Sequence, residues 1–363
     1  MAKAIGSFLV FVGTYTGTGS RGIYVLRFDS NTGLLEDTGL MAEAANPAFL
    51  ALNREGSVLY SVSETAVTGA AKSGALSAFT VNPATGALIF LNRQLSNGSS
   101  PCHLNLGLDG KAVFTANYSS GTVAMLPILA DGKLGEPCCT IQHRGKGPNP
   151  SRQEGPHAHS ITPDPATGWL YACDLGLDQV LVYRAEASSL LPAAPPALCT
   201  HAGAGPRHLA FHPNGRWLYV VNELDSTVSV FTRAAAAEAF GTAEVQSLST
   251  LPAGTTVTSW CADIHVHPSG RFVYASNRGH DSIAVFAVNP ADGRLTALGC
   301  DSVQGKTPRN FALDPAGRWL LAANQDSNTI TVFALAETTG RLSSSGRAVP
   351  VPKPVCLLLT PAR

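Results

Sequence analysis

The chain has 363 residues, of which 45% are hydrophobic and 14% are charged, a composition that can bury a large core. Lysine plus arginine and aspartate plus glutamate each number 25, so the formal net charge is zero. The sequence contains no basic tract, which argues against a nucleic-acid partner on electrostatic grounds. No apolar run approaches the roughly 18 residues that span a bilayer, so no membrane partner is expected either.

The first predicted element is a strand from Phe8 to Val12 that runs into Gly13. Its apolar run is too short for a signal peptide, and no clear small-residue cleavage site follows it. The eight cysteines show no metal-ligand spacing and fall mostly within apolar strands, so we interpret them as reduced thiols. Together these features predict a cytoplasmic location.

An internal repeat organises the rest of the chain. The segments Pro206–Glu223, Cys261–Arg278 and Pro308–Gln325 can be aligned residue by residue, and each contains a Pro-x-Gly-Arg turn. The other copies are weaker, and the last copy is partial. The copies begin about 46 to 55 residues apart, at Pro47, Pro101, Pro156, Pro206, Cys261, Pro308 and Pro354.

Each copy predicts four antiparallel strands, the third of which is exemplified by Thr227 to Phe231. Radial repetition of this unit predicts an all-β, seven-bladed β-propeller in a single domain spanning residues 1–363. Residues 8 to 41 supply three strands of a blade that lacks its first strand, whereas residues 354 to 360 supply a first strand alone. We therefore predict that the C-terminal strand joins the N-terminal blade and closes the ring. The stretch from Ser188 to Pro196 is interpreted as a surface connection.

The first and second strands of each blade share one mouth of the central channel. Positions that recur in the blades, such as the asparagines that end second strands, are expected to be structural. Positions that differ between blades and carry reactive groups are candidates for a site. The first strands start with Ala48, Cys102, His157, Arg207, Ala262, Arg309 and Val355. The next positions are Phe49, His103, Ala158, His208, Asp263 and Asn310. The second strands are followed by Tyr15, Glu64, Tyr118, Leu175, Glu223, Arg278 and Gln325.

The reactive groups at this mouth predict a catalytic cluster of His157, Glu223, Arg207 and Arg278. A histidine, a carboxylate and guanidinium groups around one channel mouth suit an anionic, oxygen-rich substrate. No ligand spacing favours a metal, and no cofactor is predicted. The candidate substrate-binding residues are Arg309, Tyr118, His159, Arg152, His103 and Gln325.

Two of these candidates leave alternatives open. In the register of the repeat His159 coincides with Leu209, a core position, so it is either a buried structural histidine or an orienting partner of the neighbouring His157. Arg152 belongs to a basic loop that leads into His157, and this loop either covers bound substrate or is a solvated surface loop. If it covers substrate, Arg152 or Lys146 can meet a phosphate, as can Arg309.

Several segments resemble motifs of the seven-bladed propeller lactonase family, and the likeness covers essentially the whole chain. The best-known members of this family are bacterial 6-phosphogluconolactonases, and a fungal carboxymuconate-lactonizing enzyme also belongs to it. The resemblance implies a metal-independent lactonase site whose histidine, glutamate and arginine roles fall on the four predicted catalytic residues. The matching segments are Arg152–Ser160, Gly205–His208, Val221–Leu224, Trp260–His265 and Ser276–Arg278.

The combined prediction is a carboxylic ester hydrolase that converts 6-phospho-glucono-1,5-lactone to 6-phosphogluconate. Water attacks the lactone carbonyl, His157 or Glu223 accepts its proton, and Arg207 and Arg278 stabilise the oxyanion. The expected partner is a small anionic sugar lactone, and the expected state is a monomer or weak homodimer. Two alternatives remain: a carboxymuconate-type cycloisomerase that uses the same arginines for carboxylates, and a non-enzymatic propeller that serves as a binding platform.

Overall fold

A computed structural model describes residues 6–17, 19–64, 73–234 and 237–363 of the chain. Its strands pair into seven four-stranded antiparallel sheets, which are the blades of a ring. The predicted all-β, seven-bladed β-propeller is therefore confirmed. Within the described ranges, no helix is long and apolar enough to cross a membrane.

The strands follow one another in chain order from blade to blade. Blade 1 contains β1 (Ser7–Thr14), β2 (Gly22–Asp29), β3 (Leu34–Glu43) and the C-terminal β28 (Pro354–Pro361). Blade 2 contains β4 (Leu50–Leu52), β5 (Val58–Ser63), β6 (Ala75–Val81) and β7 (Leu88–Leu95). Blade 3 contains β8 (Pro101–Leu106), β9 (Ala112–Asn117), β10 (Thr122–Pro127) and β11 (Cys139–Gln142). Blade 4 contains β12 (Ala158–Pro163), β13 (Leu170–Asp174), β14 (Gln179–Ala185) and β15 (Leu190–Cys199). Blade 5 contains β16 (Pro206–Phe211), β17 (Trp217–Asn222), β18 (Thr227–Thr232) and β19 (Gln246–Ser249). Blade 6 contains β20 (Trp260–Val266), β21 (Phe272–Arg278), β22 (Ser282–Val288) and β23 (Leu295–Ser302). Blade 7 contains β24 (Pro308–Leu313), β25 (Trp319–Asn324), β26 (Thr329–Leu335) and β27 (Leu342–Pro350).

The C-terminal strand closes the ring, as the repeat predicts. β28 pairs with β1 in an antiparallel register that runs from Phe8 opposite Pro361 to Thr14 opposite Pro354. The innermost strands of consecutive blades also contact one another, and β28 touches both β4 of blade 2 and β24 of blade 7. The two ends of the chain therefore meet in the same blade.

The hydrophobic core lies between neighbouring blades rather than within any one of them. Every residue of β17 is buried, because its two faces are covered by the adjacent blades. Tyr219 and Val221 of blade 5 pack in one cluster with Ile264 and Val273 of blade 6. Strands buried on both faces have continuous apolar sequences, which explains the Trp-Leu-Tyr-Val-Val pattern of the repeat.

A repeated hydrogen bond links neighbouring blades at the turn before the outermost strand. The tyrosine hydroxyl of one second strand donates to the carbonyl oxygen of a turn glycine in the next blade, at 2.9 to 3.0 Å. This contact gives a hydrogen-bond partner to a hydroxyl group whose aromatic ring is buried in the core. The pairs are Tyr60 with Gly132, Tyr219 with Gly293, and Tyr274 with Gly340.

The interpretation of Ser188 to Pro196 as a surface connection is wrong. Most of this stretch belongs to β15, the outermost strand of blade 4, which pairs with β14 on one side. Proline lacks the N–H that a central strand needs, but an outermost strand leaves one edge unpaired and tolerates it. The prolines that argued against a strand therefore mark an edge strand.

We expect Gly293→Ala to destabilise the protein more than Gly346→Ala. Both glycines have a φ of about 70 to 77°, so both alanines carry a similar backbone cost. A Cβ at Gly293 would overlap the Trp217 ring, whereas a Cβ at Gly346 meets open space. Overpacking should lower the free energy of unfolding by roughly 1–3 kcal/mol beyond the control, as measured by urea denaturation. Equal losses in the two variants would show that the Gly293–Trp217 contact between blades is not tightly packed.

Candidate active site

Most of the innermost strands have a β-bulge near their start. In blade 5, Pro206 pairs with Asn222 and His208 pairs with Val221, which leaves Arg207 without a cross-strand partner. A bulge re-aims the side chain of its extra residue, and here that side chain turns toward the mouth of the channel. The equivalent bulged residues of blades 3, 4 and 7 are Cys102, His159 and Arg309.

This register changes the predicted place of His159. His159 is the bulged residue of blade 4, and Ile161 occupies the core position that Leu209 occupies in blade 5. The prediction that His159 shares the Leu209 position is therefore wrong. Pro156 precedes its strand, whereas Pro206 begins its strand, so matching these two prolines shifts the alignment by two residues.

A cavity of about 420 Å³ opens at this mouth, a volume within the usual range for small-molecule sites. It brings together two of the four predicted catalytic residues and four of the six predicted binding residues. Glu64 and Trp260 also line it, although neither was among the predicted site residues. The predicted residues that line the cavity are Glu223, Arg278, Arg309, Tyr118, His159 and Arg152.

Glu223 is the charged centre of the cavity, at the position that follows β17. Its carboxylate lies 2.6 Å from Arg152 Nη2, 2.9 Å from Arg207 Nε and 2.8 Å from Arg278 Nη2. The three guanidinium groups come from a loop, from the bulge of β16 and from the end of β21. Because 7% of the Glu223 side chain is exposed, these ion pairs are largely shielded from water.

These contacts determine the ionisation of the cluster. Burial alone would raise the pKa of Glu223, but the positive charges of Arg278, Arg207 and Arg152 lower it to about 2. Burial, together with the charges of Arg278 and Arg309, lowers the pKa of Arg207 to about 10. Both groups are therefore ionised at neutral pH. A carboxylate with so low a pKa is a weak proton acceptor, since a general base works best with a pKa near the working pH.

His159 is a second ionisable group at the same wall of the cavity. Its Nδ1 lies 3.8 Å from Cys102 Sγ, and its Nε2 lies 4.0 Å from Glu223 Oε2, which is too far for a direct hydrogen bond. Burial and the nearby charge of Arg207 lower the pKa of His159 well below its usual range. The imidazole is therefore neutral at neutral pH, and a neutral imidazole has one ring nitrogen that can accept a proton.

His157 is not among the residues that line the cavity. Its ring stacks on Tyr118 with the ring centroids 4.5 Å apart. Nδ1 lies 3.1 Å from the Tyr118 carbonyl oxygen, and Nε2 lies 3.2 Å from the exposed carboxylate of Glu154. With both ring nitrogens engaged outside the cavity, His157 is placed to support Tyr118.

The predicted basic loop reaches the cavity through Arg152. The next residue, Gln153, is fully buried, and its amide nitrogen donates to Asp178 at 2.7 Å. Asp178 also accepts the backbone N–H of Gly205 at 2.8 Å, just before the bulge at Arg207. Asp178 therefore ties the loop that carries one guanidinium group to the strand that carries another.

A hydrogen-bonded network extends from Arg207 into the channel. Arg207 Nη1 lies 3.3 Å from His208 Nε2, and His208 Nδ1 lies 2.9 Å from Asp263, which also contacts His265 at 3.0 Å. Burial and the charge of Arg207 lower the pKa of His208 to about 4, so its ring is neutral. With Asp263 accepting from Nδ1, Nε2 is left as the acceptor for Arg207. This network orients the guanidinium group that binds Glu223.

Two predicted binding residues lie away from the cavity. His103 is buried in the channel, with its ring centroid 4.1 Å from that of Phe49 and 5.3 Å from that of His208. Gln325 donates to the exposed Asp326 at 3.2 Å. Neither is among the residues that line the cavity.

Among the lining residues that were not predicted from the sequence, Glu64 and Trp260 differ in how strongly the repeat indicated them. Glu64 follows β5 in the same way that Glu223 follows β17, so the repeat itself carried the signal. Trp260 begins β20 opposite Arg278 and is 41% exposed. The aligned copies of the repeat begin after Trp260, so the pattern did not mark it.

Other parts of the described structure compete poorly as active sites. Among the described residues, no group of three or more His, Cys, Asp or Glu side chains is arranged to hold a metal ion. Cavities of about 890 and 630 Å³ lie among the hairpins of blades 2 and 3 and at the His265 end of the channel. Neither is lined by Glu223, so the smaller cavity is the candidate active site.

The fold and this cavity define a seven-bladed propeller with an arginine-rich cavity at one mouth. The family profile described as Lactonase, 7-bladed beta-propeller matches residues 9–359. A 6-phosphogluconolactonase from Bacillus subtilis is 39% identical over 314 residues, or 86% of each chain. A solved structure of a periplasmic gluconolactonase from Pseudomonas aeruginosa is 33% identical, with a TM-score of 0.90 over 99% of this chain and 100% of that one. A solved structure from Bacteroides fragilis is 36% identical, with a TM-score of 0.90 over 98% of both chains. This chain therefore belongs to the seven-bladed β-propeller lactonase family, which confirms the resemblance seen in its sequence.

The low pKa of Glu223 predicts a pH-dependent contribution to stability. A carboxylate whose pKa falls from 4.5 to about 2 on folding stabilises the protein above pH 4.5, and this stabilisation is lost as the pH falls toward 2. Glu223→Gln should lower the free energy of unfolding at pH 7 by about 3–5 kcal/mol, because three guanidinium groups lose their buried partner. The difference from wild type should shrink between pH 5 and the lowest pH at which both proteins fold. A difference that stays constant with pH would contradict an ionised Glu223.

Proposed function

We propose that this chain is a lactonase that hydrolyses 6-phospho-glucono-1,5-lactone to 6-phosphogluconate, a step of the pentose phosphate pathway. The observation that carries the proposal is the carboxylate of Glu223, held by three arginines at the wall of a cavity in a lactonase-family propeller. The 6-phosphogluconolactonase from Bacillus subtilis supports a phosphorylated substrate. The Pseudomonas aeruginosa gluconolactonase supports the same chemistry on an aldonolactone.

Lactone hydrolysis needs a base for the attacking water and a cation for the oxyanion that forms at the carbonyl. His159 is the base in this proposal, because it is neutral and lines the cavity. Arg278 stabilises the oxyanion, because it lines the cavity and its Nε has no hydrogen-bond partner among the described residues. Arg207 is 2% exposed and is engaged by Glu223 and His208, so it acts by orienting Glu223.

The remaining cations suit a phosphate on the substrate. Arg309 lines the cavity with its guanidinium carbon 5.2 Å from the centre of the Tyr15 ring. The Arg152 side chain is 34% exposed, so part of its guanidinium group is open to a ligand while Nη2 binds Glu223. Lys146 is exposed and is not among the cavity-lining residues. We therefore assign the phosphate to Arg309 and Arg152.

The cellular setting is part of the proposal. All eight cysteines are unpaired, which suits a reducing compartment, so we propose that residues 1–363 act as one cytoplasmic domain. The Pseudomonas aeruginosa relative is periplasmic, so cell fractionation of the native host is the relevant test. We also propose a monomer or weak homodimer, which light scattering across a range of protein concentrations would test.

A pH-stat assay on purified protein tests the substrate. Both phosphorylated and plain glucono-1,5-lactone should be hydrolysed faster than in buffer, with the higher kcat/KM for the phosphorylated lactone. A chelator should leave both rates unchanged, because the proposed chemistry uses no metal. No acceleration on any sugar lactone would overturn the proposal, whereas a preference for the plain lactone would remove only the assigned phosphate contacts.

A pair of histidine variants tests the base. We expect His159→Gln to lower kcat by about 10²–10⁴-fold, the usual contribution of a general base. His157→Gln should have a much smaller effect, because that ring supports Tyr118 from outside the cavity lining. Thermal unfolding of both variants would show whether they remain folded. A larger kcat loss in His157→Gln would return the role of base to His157.

A further inference from the structure

A second carboxylate, that of Glu64, lines the same cavity as Glu223. Glu64 follows β5 in blade 2 as Glu223 follows β17 in blade 5. The innermost strands of consecutive blades touch around the whole ring, so these blades lie three positions apart among seven. The two carboxyl groups therefore reach the cavity from nearly opposite walls.

The surroundings of the two carboxyl groups differ. Glu223 contacts three guanidinium groups, whereas Oε2 of Glu64 is buried with no hydrogen-bond partner among the described residues. The cation that acts most strongly on Glu64 is Arg309, which lies against the Tyr15 ring. A buried carboxyl oxygen without a partner is costly as an anion, and in a cavity it is a natural contact for a ligand.

We propose that Glu64 is the catalytic acid that protonates the ring oxygen of the lactone as the bond from that oxygen to the carbonyl carbon breaks. This proposal rests on the proposed lactonase function. Ring opening expels an alkoxide, which is a poor leaving group unless a proton reaches it in the transition state. General-acid catalysis of such a step is typically worth about 10²–10⁴-fold.

The proton transfers balance over one turnover. The oxygen of water bonds to the carbonyl carbon, and one of its protons passes to Nε2 of His159. The tetrahedral intermediate then collapses, the electron pair of the breaking bond goes to the ring oxygen, and Glu64 supplies the proton that makes it a hydroxyl. The new carboxylic acid loses its proton to solvent. Transfer of the proton from His159 to Glu64 through water restores both groups.

Glu223 and the arginines of the described cavity lining suit this role less well. Glu223 is held ionised by its arginines, and arginine does not release a proton in proteins. Burial raises the pKa of Glu64 despite the opposing effects of Arg309 and Tyr15, which favours its protonated form. Two carboxyl groups whose surroundings move their pKa values apart are a common arrangement for separating the roles of charged anchor and acid.

Kinetics of Glu64→Gln and Glu64→Asp test the assignment. With the better substrate of the wild-type enzyme, Glu64→Gln should lower kcat by about 10²-fold or more, with little change in KM. In the wild type, kcat should fall as the pH rises through the pKa of Glu64, once spontaneous lactone hydrolysis is subtracted. This fall should vanish in Glu64→Gln but persist, at reduced kcat, in Glu64→Asp. Glu43→Gln, which removes a 77% exposed partner of Arg21, should match the wild type.

Several results would overturn the proposal. A Glu64→Gln variant with wild-type kcat, or one that raises only KM, would make Glu64 a structural or binding residue. If Glu64→Gln fails to fold, Glu64→Ala replaces it, and wild-type kcat in that variant would equally exclude Glu64 as the acid. An inactive wild type would refute the proposed lactonase function itself, and that result is distinct from an active wild type that is insensitive to Glu64.

Discussion

The candidate site depends on the β-bulge near the start of the innermost strands. A regular strand alternates its side chains between two faces, and in this ring both faces are buried against neighbouring blades. The extra residue at the bulge escapes this alternation and can point into the channel mouth. Arg207, His159, Arg309 and Cys102 all occupy that position. A scaffold of buried apolar strands thereby presents polar groups at one place without putting charges into the core between the blades.

The bulge brings positively charged side chains close together, and Glu223 offsets their charge by pairing with them. Arg207 is 2% exposed, and a guanidinium group buried to that extent requires a partner. Glu223 pairs with this group and with the more exposed guanidinium groups of Arg278 and Arg152. Asp178 and Asp263 hold the surrounding loop and strands through further hydrogen bonds. Because Glu223 is fully committed to this anchoring role, proton transfer falls to groups with fewer partners. In the proposed mechanism His159 and Glu64 are these groups, and they act as a separate base and acid around a fixed anion.

Much of this architecture could be predicted from the sequence, because a repeated structural unit repeats its residue pattern. The blades, their four strands and the closure by β28 follow from copies that share turns, buried strands and terminal asparagines. Glu223 and Arg278 were also predicted at the mouth, because each directly follows or ends a well-aligned second strand. The misses occur where the pattern is weakest. Pro156 precedes its strand instead of beginning it, so the predicted alignment of His159 with the repeat was wrong by two residues. The prolines of β15 argued against a strand where an edge strand is present.

The sequence by itself determined the number of blades, the closure of the ring and the chemical types at the mouth, since all of these follow from local pattern and strand order. Only the tertiary structure decided which of those groups face one another. Whether a side chain lines the cavity depends on a single bulged residue and on contacts between blades that are distant in the chain, such as Arg152 with Glu223. The pKa values follow from the same contacts. Two glutamates at equivalent positions of the repeat therefore have opposite surroundings, because blade 5 meets three arginines at its end of the cavity and blade 2 does not.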